Sequence, residues 1–136
     1  MSVVNEEVLE IGYLTNGRIL CLTPSRAIVA TGGIAWYARH SDDTFIELRE
    51  NEKMREKKEK LYRQSAEAVL KADQRNFAIP YVEIIQVELF KKLFFRRKIR
   101  ITTGIRKHEF TFLNENEYYR CMFALRPLLH DKLTVL

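Results

Sequence analysis

Hydrophobic positions in this chain fall into short runs divided by turn residues, and their period changes along the sequence. Residues 3–14 contain Val3, Val4, Val8, Leu9, Ile11, Tyr13 and Leu14 without a clear period, so the segment opens as a helix or a strand. Asn16-Gly17 then supplies a turn dipeptide. Two apolar runs, 18–23 and 26–31, are separated by Pro24-Ser25 and closed by Gly32-Gly33, which predicts a β-hairpin. Ile34 to Arg39, with Trp36 and Tyr37, predicts a third strand.

The character changes after Ser41. Nearly every residue from Glu47 to Lys60 is charged, and Glu56–Lys60 and Glu59–Arg63 are i,i+4 pairs in the favourable order. Lys, Glu, Arg, Gln and Ala are good helix formers, so residues 44–73 predict one long helix or two joined ones. Its second half carries an apolar stripe, Leu61, Tyr62, Ala66, Val69 and Leu70. The first half has little beyond Phe45 and Leu48 and is expected to face solvent or a partner, including a second copy of the chain.

Period two returns after Asn76. Phe77-Ala78-Ile79 predicts a short strand that Pro80, lacking an N–H, brings to an end. Tyr81 to Ile84 turns the chain, and Ile85, Val87 and Leu89 alternate with Gln86 and Glu88. Ile99 and Ile101 alternate with Lys98, Arg100 and Thr102. Thr103-Gly104 forms a turn, and Lys107 to Leu113, with Phe110 and Phe112, forms the last of three antiparallel strands. Asn114 followed by Glu117 fits a capping box, and Tyr118, Cys121, Met122, Leu125, Leu128 and Leu129 line one face of a closing helix over about 115–131. Pro127 kinks or ends that helix.

Three stretches carry a family resemblance. Leu22-Thr23-Pro24-Ser25-Arg26-Ala27-Ile28-Val29, Ile79-Pro80-Tyr81-Val82-Glu83-Ile84-Ile85-Gln86-Val87, and Lys98-Ile99-Arg100-Ile101-Thr102-Thr103 followed by Glu109-Phe110-Thr111-Phe112 are similar to the corresponding hairpins of bacterial pleckstrin-homology-like (PH-like) and GRAM-like domains. The resemblance covers about residues 15–130. It implies a single α+β domain over 1–136, a PH-like antiparallel β-barrel or sandwich of about seven strands. A C-terminal capping helix and the long charged helix inserted at 44–73 would complete it. It further implies that Leu22 and Ile28 face the barrel interior and that Ile84 and Val87 return to the core. Phosphoinositide-binding PH domains place several basic residues in and after the first hairpin turn. Here that turn holds only Arg26, with Arg18 at its base, so recognition of one inositol phosphate is not expected.

Composition alters the picture in one respect. The 136 residues carry 23 Lys and Arg against 18 Asp and Glu, a net charge of +5. Eight of those cations, at positions 91, 92, 96, 97, 98, 100, 106 and 107, lie in a window free of acids. The rest of the chain holds 15 against 18, a net of −3. The positive surplus belongs to one hairpin region.

Lys91, Lys92, Arg96, Arg97, Lys98 and Arg100 are therefore the candidate contacts for an anionic surface, with Phe94 and Phe95 as candidate anchors in a membrane or partner. The competing expectation is that Leu93, Phe94 and Phe95 pack into the barrel edge or a dimer contact while the cations simply face water. Single-stranded nucleic acid is a third expectation, disfavoured by the absence of a recognised motif.

No metal-ligand spacing, glycine-rich phosphate loop or nucleophile motif occurs, and His40, His108 and His130 are isolated, so neither catalysis nor a cofactor is expected. Cys21 and Cys121 read as two reduced core thiols. No apolar run reaches membrane-spanning length, and Met1 to Leu9 lacks the basic start of a secretory signal. The expected role is a non-catalytic binding module, cytoplasmic or peripheral to a membrane, that contacts a protein partner or anionic lipid. The alternative is a self-associating structural protein that dimerises through the charged helix.

Overall fold

The computed structural model describes residues 6–31, 59, 62–92 and 96–136. The elements are β1 (Glu10–Tyr13), β2 (Arg18–Leu22), β3 (Arg26–Thr31), α1 (Ala66–Lys71), β4 (Phe77–Pro80), β5 (Ile84–Lys92), β6 (Arg96–Thr103), β7 (Lys107–Thr111), α2 (Glu115–Leu128) and β8 (Leu133–Val135). They form two four-stranded sheets, ordered β1-β2-β3-β4 and β7-β6-β5-β8. The fold is α+β. Among the described residues the two sheets do not close into a barrel. They meet at one corner, where Leu14 bridges Phe112 and Leu113 donates to the Tyr13 carbonyl at 2.9 Å.

The first sheet is buried on both faces. Leu20, Leu22, Ala27, Val29 and Ile79 pack toward the second sheet and α2. Ile11, Tyr13, Ile19, Cys21, Ile28 and Ala30 pack the other way, onto Ala66 and Val69 of α1. This explains why β2 and β3 are continuous apolar runs with no alternation. It also corrects the expectation that Leu22 and Ile28 share the interior. In register Cys21 opposes Ile28 and Leu22 opposes Ala27, so the two residues lie on opposite faces.

Gly12 faces α2, where a Cβ would come within 2.4 Å of the Cys121 sulfur, so only glycine permits this approach of helix to strand. Both cysteines are buried thiols. Burial pushes the Cys21 thiol up to about 12, leaving it protonated and unreactive at neutral pH.

The helix expected over 44–73 lies largely outside the described residues, as does the strand at Ile34 to Arg39. Where it is described it is not continuous. Ser65 is extended (φ −74°, ψ 158°), bridges Glu7, and starts α1 afresh by accepting a hydrogen bond from the Ala68 N–H. The helix breaks there because Ser is a better cap than interior residue.

In the second sheet Ile99, Ile101, Val87 and Leu89 point inward as the alternation requires. Ile85 does not, and is 62 % exposed. A bulge between Ile84 and Gln86 adds a residue to β5, so Ile84 and Val87 both reach the core while Ile85 turns outward. The strand at Lys107–Thr111 is not the last. β8 returns beside β5 in parallel, Val87 opposite Leu133 and Leu89 opposite Val135, giving eight strands among the described residues. Asn114 caps α2 by accepting from the Glu117 N–H at 3.1 Å, a contact worth about 1 kcal/mol. The face Tyr118, Cys121, Met122, Leu125 and Leu129 is buried as its spacing predicts. Pro127 falls one residue before the helix ends.

Candidate functional site

β5 and β6 form a long hairpin whose register fixes where each cation stands. Leu89 opposes Ile99 on the inner face. Phe90 opposes Lys98, Lys92 opposes Arg96, and Glu88 opposes Arg100 on the outer one. β7 continues that outer face, with Glu109 beside Arg100 and Lys107 beside Thr102. Lys92, Arg96, Lys98, Arg100 and Lys107 thus share a surface with two carboxylates, Glu88 and Glu109.

Those cations are not equivalent. Arg100 donates twice to Glu109, at 2.9 and 3.3 Å, lies 3.6 Å from Glu88 and covers the Phe90 ring at 4.8 Å. Lys98 reaches the same Glu109 carboxylate at 3.4 Å. The Arg100 hydrogen bonds hold the Glu109 carboxyl below its usual range, and Lys98 adds to the effect. Arg97 follows the inner parity to the end of α2. There it stacks over Tyr118 at 4.9 Å, meets the Tyr119 hydroxyl at 3.3 Å and lies 3.7 Å from Glu115. Among the described residues its Nε is buried without a hydrogen-bond partner, and Arg97 is packed rather than presented.

Lys91, Lys92 and Arg96 are exposed at the hairpin end. Among the described residues Lys92 and Arg96 have no ion pair, and nor have Arg106 and Lys107 at the other end of the sheet. The predicted contacts therefore differ. Arg97, Lys98 and Arg100 are held by neighbours, whereas Lys92 and Arg96 are exposed with no ion pair among the described residues. Phe94 and Phe95 lie outside the described residues.

The opposite end differs in kind. Val82 is 89 % exposed, Ile105 88 % and Ile85 62 %, and the pairing of Ile84 with Thr103 brings their segments together. A cleft opens beside them, lined by Phe77, Ala78, Ile79, Glu83, Ile105, Arg106 and His108. His108 sits between Phe77 and Phe110, at 5.4 and 6.3 Å, and burial lowers its pKa with help from Arg106. Sequence reasoning passed over this end. The available signal was Ile105 itself, an aliphatic residue inside the turn Thr103-Gly104-Ile105-Arg106.

Among the described residues no group of three or more His, Cys, Asp or Glu could hold a metal ion, and no helix is long and apolar enough to cross a membrane. Comparison with protein-family models, with curated proteins and with solved structures gives no match.

Proposed function

We propose that the chain is a non-catalytic, PH-like binding module that contacts an anionic lipid surface through the outer face and hairpin end of β5 and β6. The PH-like reading draws support from the element order, a strand meander in two sheets with a terminal helix packed on β1, β2 and β6. One observation carries the binding assignment: Lys92 and Arg96 stand exposed side by side on one sheet face at the hairpin end, with no ion pair among the described residues. Each such cation near an anionic bilayer contributes about 1 kcal/mol and acts only within a Debye length. The contact is accordingly weak, salt-sensitive and indifferent to the particular headgroup.

Flotation with phosphatidylserine-containing vesicles tests this. Recovery with the vesicles at low salt, lost at high salt and absent with phosphatidylcholine alone, is the expected result. Failure to float with phosphatidylserine at low salt would sink the proposal.

A further inference from the structure

α2 has a second face that the core does not use. Its buried side packs on the sheets through Tyr118, Cys121, Met122 and Leu125. The opposite side presents Asn116, Tyr119, Arg120, Phe123, Arg126 and Pro127, all of them exposed. Two of these are large aromatics, Phe123 at 63 % exposure and Tyr119 at 39 %. They stand four residues apart and so lie one above the other on that side.

Charge on this strip is of one sign. Arg120 and Arg126 belong to it, and its exposed positions include no acid. Glu117 is turned inward and buried, 3.0 Å from Arg120, and Glu115 at the helix start lies 3.7 Å from Arg97. Arg126 has no ion pair among the described residues and covers the Phe123 ring at 5.8 Å. Exposed rings flanked by guanidinium groups on an amphipathic helix suit the boundary of an anionic bilayer, where the ring enters and the cation meets phosphate.

The strip begins where the basic hairpin ends. Arg97 follows Arg96 in the chain and leaves β6 on the inner side. Its guanidinium lies 3.3 Å from the Tyr119 hydroxyl and 5.7 Å from the ring centroid. Phe123 is one turn further, about 6 Å along the axis at about 1.5 Å per residue. The cations Lys92 and Arg96 thus adjoin an aromatic strip that carries further cations. An anionic surface complements both, whereas a second copy would set Arg120 and Arg126 against like charge.

We infer that the exposed strip of α2 lies in the interface of the anionic bilayer that the hairpin end attracts, with Phe123 and Tyr119 as anchors and Arg126 on the headgroups. The inference rests on the lipid reading and adds an orientation to it. The hairpin draws the protein to the surface, and the helix decides which side enters. Even a whole myristoyl chain binds only marginally by itself, so two rings still release at high salt.

The test is a nitroxide attached through Phe123→Cys on the intact protein, read by power-saturation paramagnetic resonance on vesicles of phosphatidylserine and phosphatidylcholine. Cys21 and Cys121 are buried and stay unlabelled. The label at 123 should sit below the headgroups, while a control label at Ile105→Cys stays in water. Phe123→Ser should weaken vesicle affinity about fivefold or more, with circular dichroism unchanged because the side chain is exposed. A label at 123 that stays in water while the protein floats would overturn the inference and leave the lipid reading standing. Equal affinity of Phe123→Ser would do the same. A concentration-dependent dimer abolished by Phe123→Ser would also overturn it, assigning the strip to a second copy. Absence of flotation altogether removes the inference together with the lipid reading.

Discussion

The two ends of the second sheet are built from the same pair of strands and present opposite chemistry. At the hairpin end of β5 and β6, Lys91, Lys92 and Arg96 are exposed. At the other end Val82, Ile85 and Ile105 are. Between them Arg100, Lys98, Glu88 and Glu109 neutralise one another across three strands. The middle of the sheet thus spends its charge internally, and only the ends are left to meet anything else. A basic segment is consequently a poor guide to a basic surface: Arg97, Lys98 and Arg100 are committed to neighbours.

The largest test removes what both ends share. Leu89 is fully buried beneath the hairpin, and Leu89→Ala should cost about 2–5 kcal/mol in chemical denaturation. Vesicle binding should fall as the fold loosens.

Next is a change that separates the ends. Lys92→Gln with Arg96→Gln should lower affinity for anionic vesicles by about 2 kcal/mol, roughly 30-fold, with stability within about 0.5 kcal/mol of the parent. If the vesicle affinity is unchanged, the hairpin end is merely solvated and the contrast between the ends has no functional meaning.

A third change probes how firmly the aliphatic end is held. The Tyr81 hydroxyl is buried and donates to the Thr23 carbonyl at 2.6 Å, while Lys132 donates to the Tyr81 carbonyl at 2.8 Å. Tyr81→Phe removes the first of these and should cost about 1 kcal/mol without altering vesicle flotation.

Glu109→Gln addresses the neutral middle. It releases Lys98 and Arg100 from their carboxylate, so vesicle affinity should rise severalfold while stability changes little. A drop in affinity would show that the network presents the cations instead of absorbing them.

The smallest effect is one of pH. The His108 pKa is depressed by burial, so the folded state favours the neutral ring. Its contribution is complete above the unfolded value near 6.5 and is lost as pH falls toward the lower folded value. His108→Phe should flatten the pH dependence of stability just below 6.5, leaving binding at the hairpin end untouched.

Much of the scaffold was legible because its signals are local. The Pro24-Ser25 hairpin, the strand at 77–79 ending at Pro80, the inward Ile99 and Ile101, the Asn114 cap and the buried stripe of α2 all follow from spacings of a few residues. Alternation alone did not show the outward turn of Ile85, since a bulge shifts parity without changing residue types, whereas the family resemblance placed Ile84 and Val87 in the core, where they are. The helix expected over 44–73, in one piece or two joined ones, is interrupted at Ser65, where a tertiary bridge to Glu7 turns one residue into a cap.

The sequence by itself determined the strands from Arg18 to Thr31 and from Phe77 to Thr111, the closing helix and the segment in which the positive charge resides, because composition, turn chemistry and periodicity are written within a few residues of each other. Only the tertiary structure decided that the first sheet is covered on both faces, that β8 closes beside β5, and that Glu88 and Glu109 silence Arg100 and Lys98. The same is true of the convergence of Val82, Ile85 and Ile105 at one end. Each of these depends on strand register between residues distant in sequence, and a side chain's surroundings are set by its cross-strand neighbours rather than by those beside it in the chain.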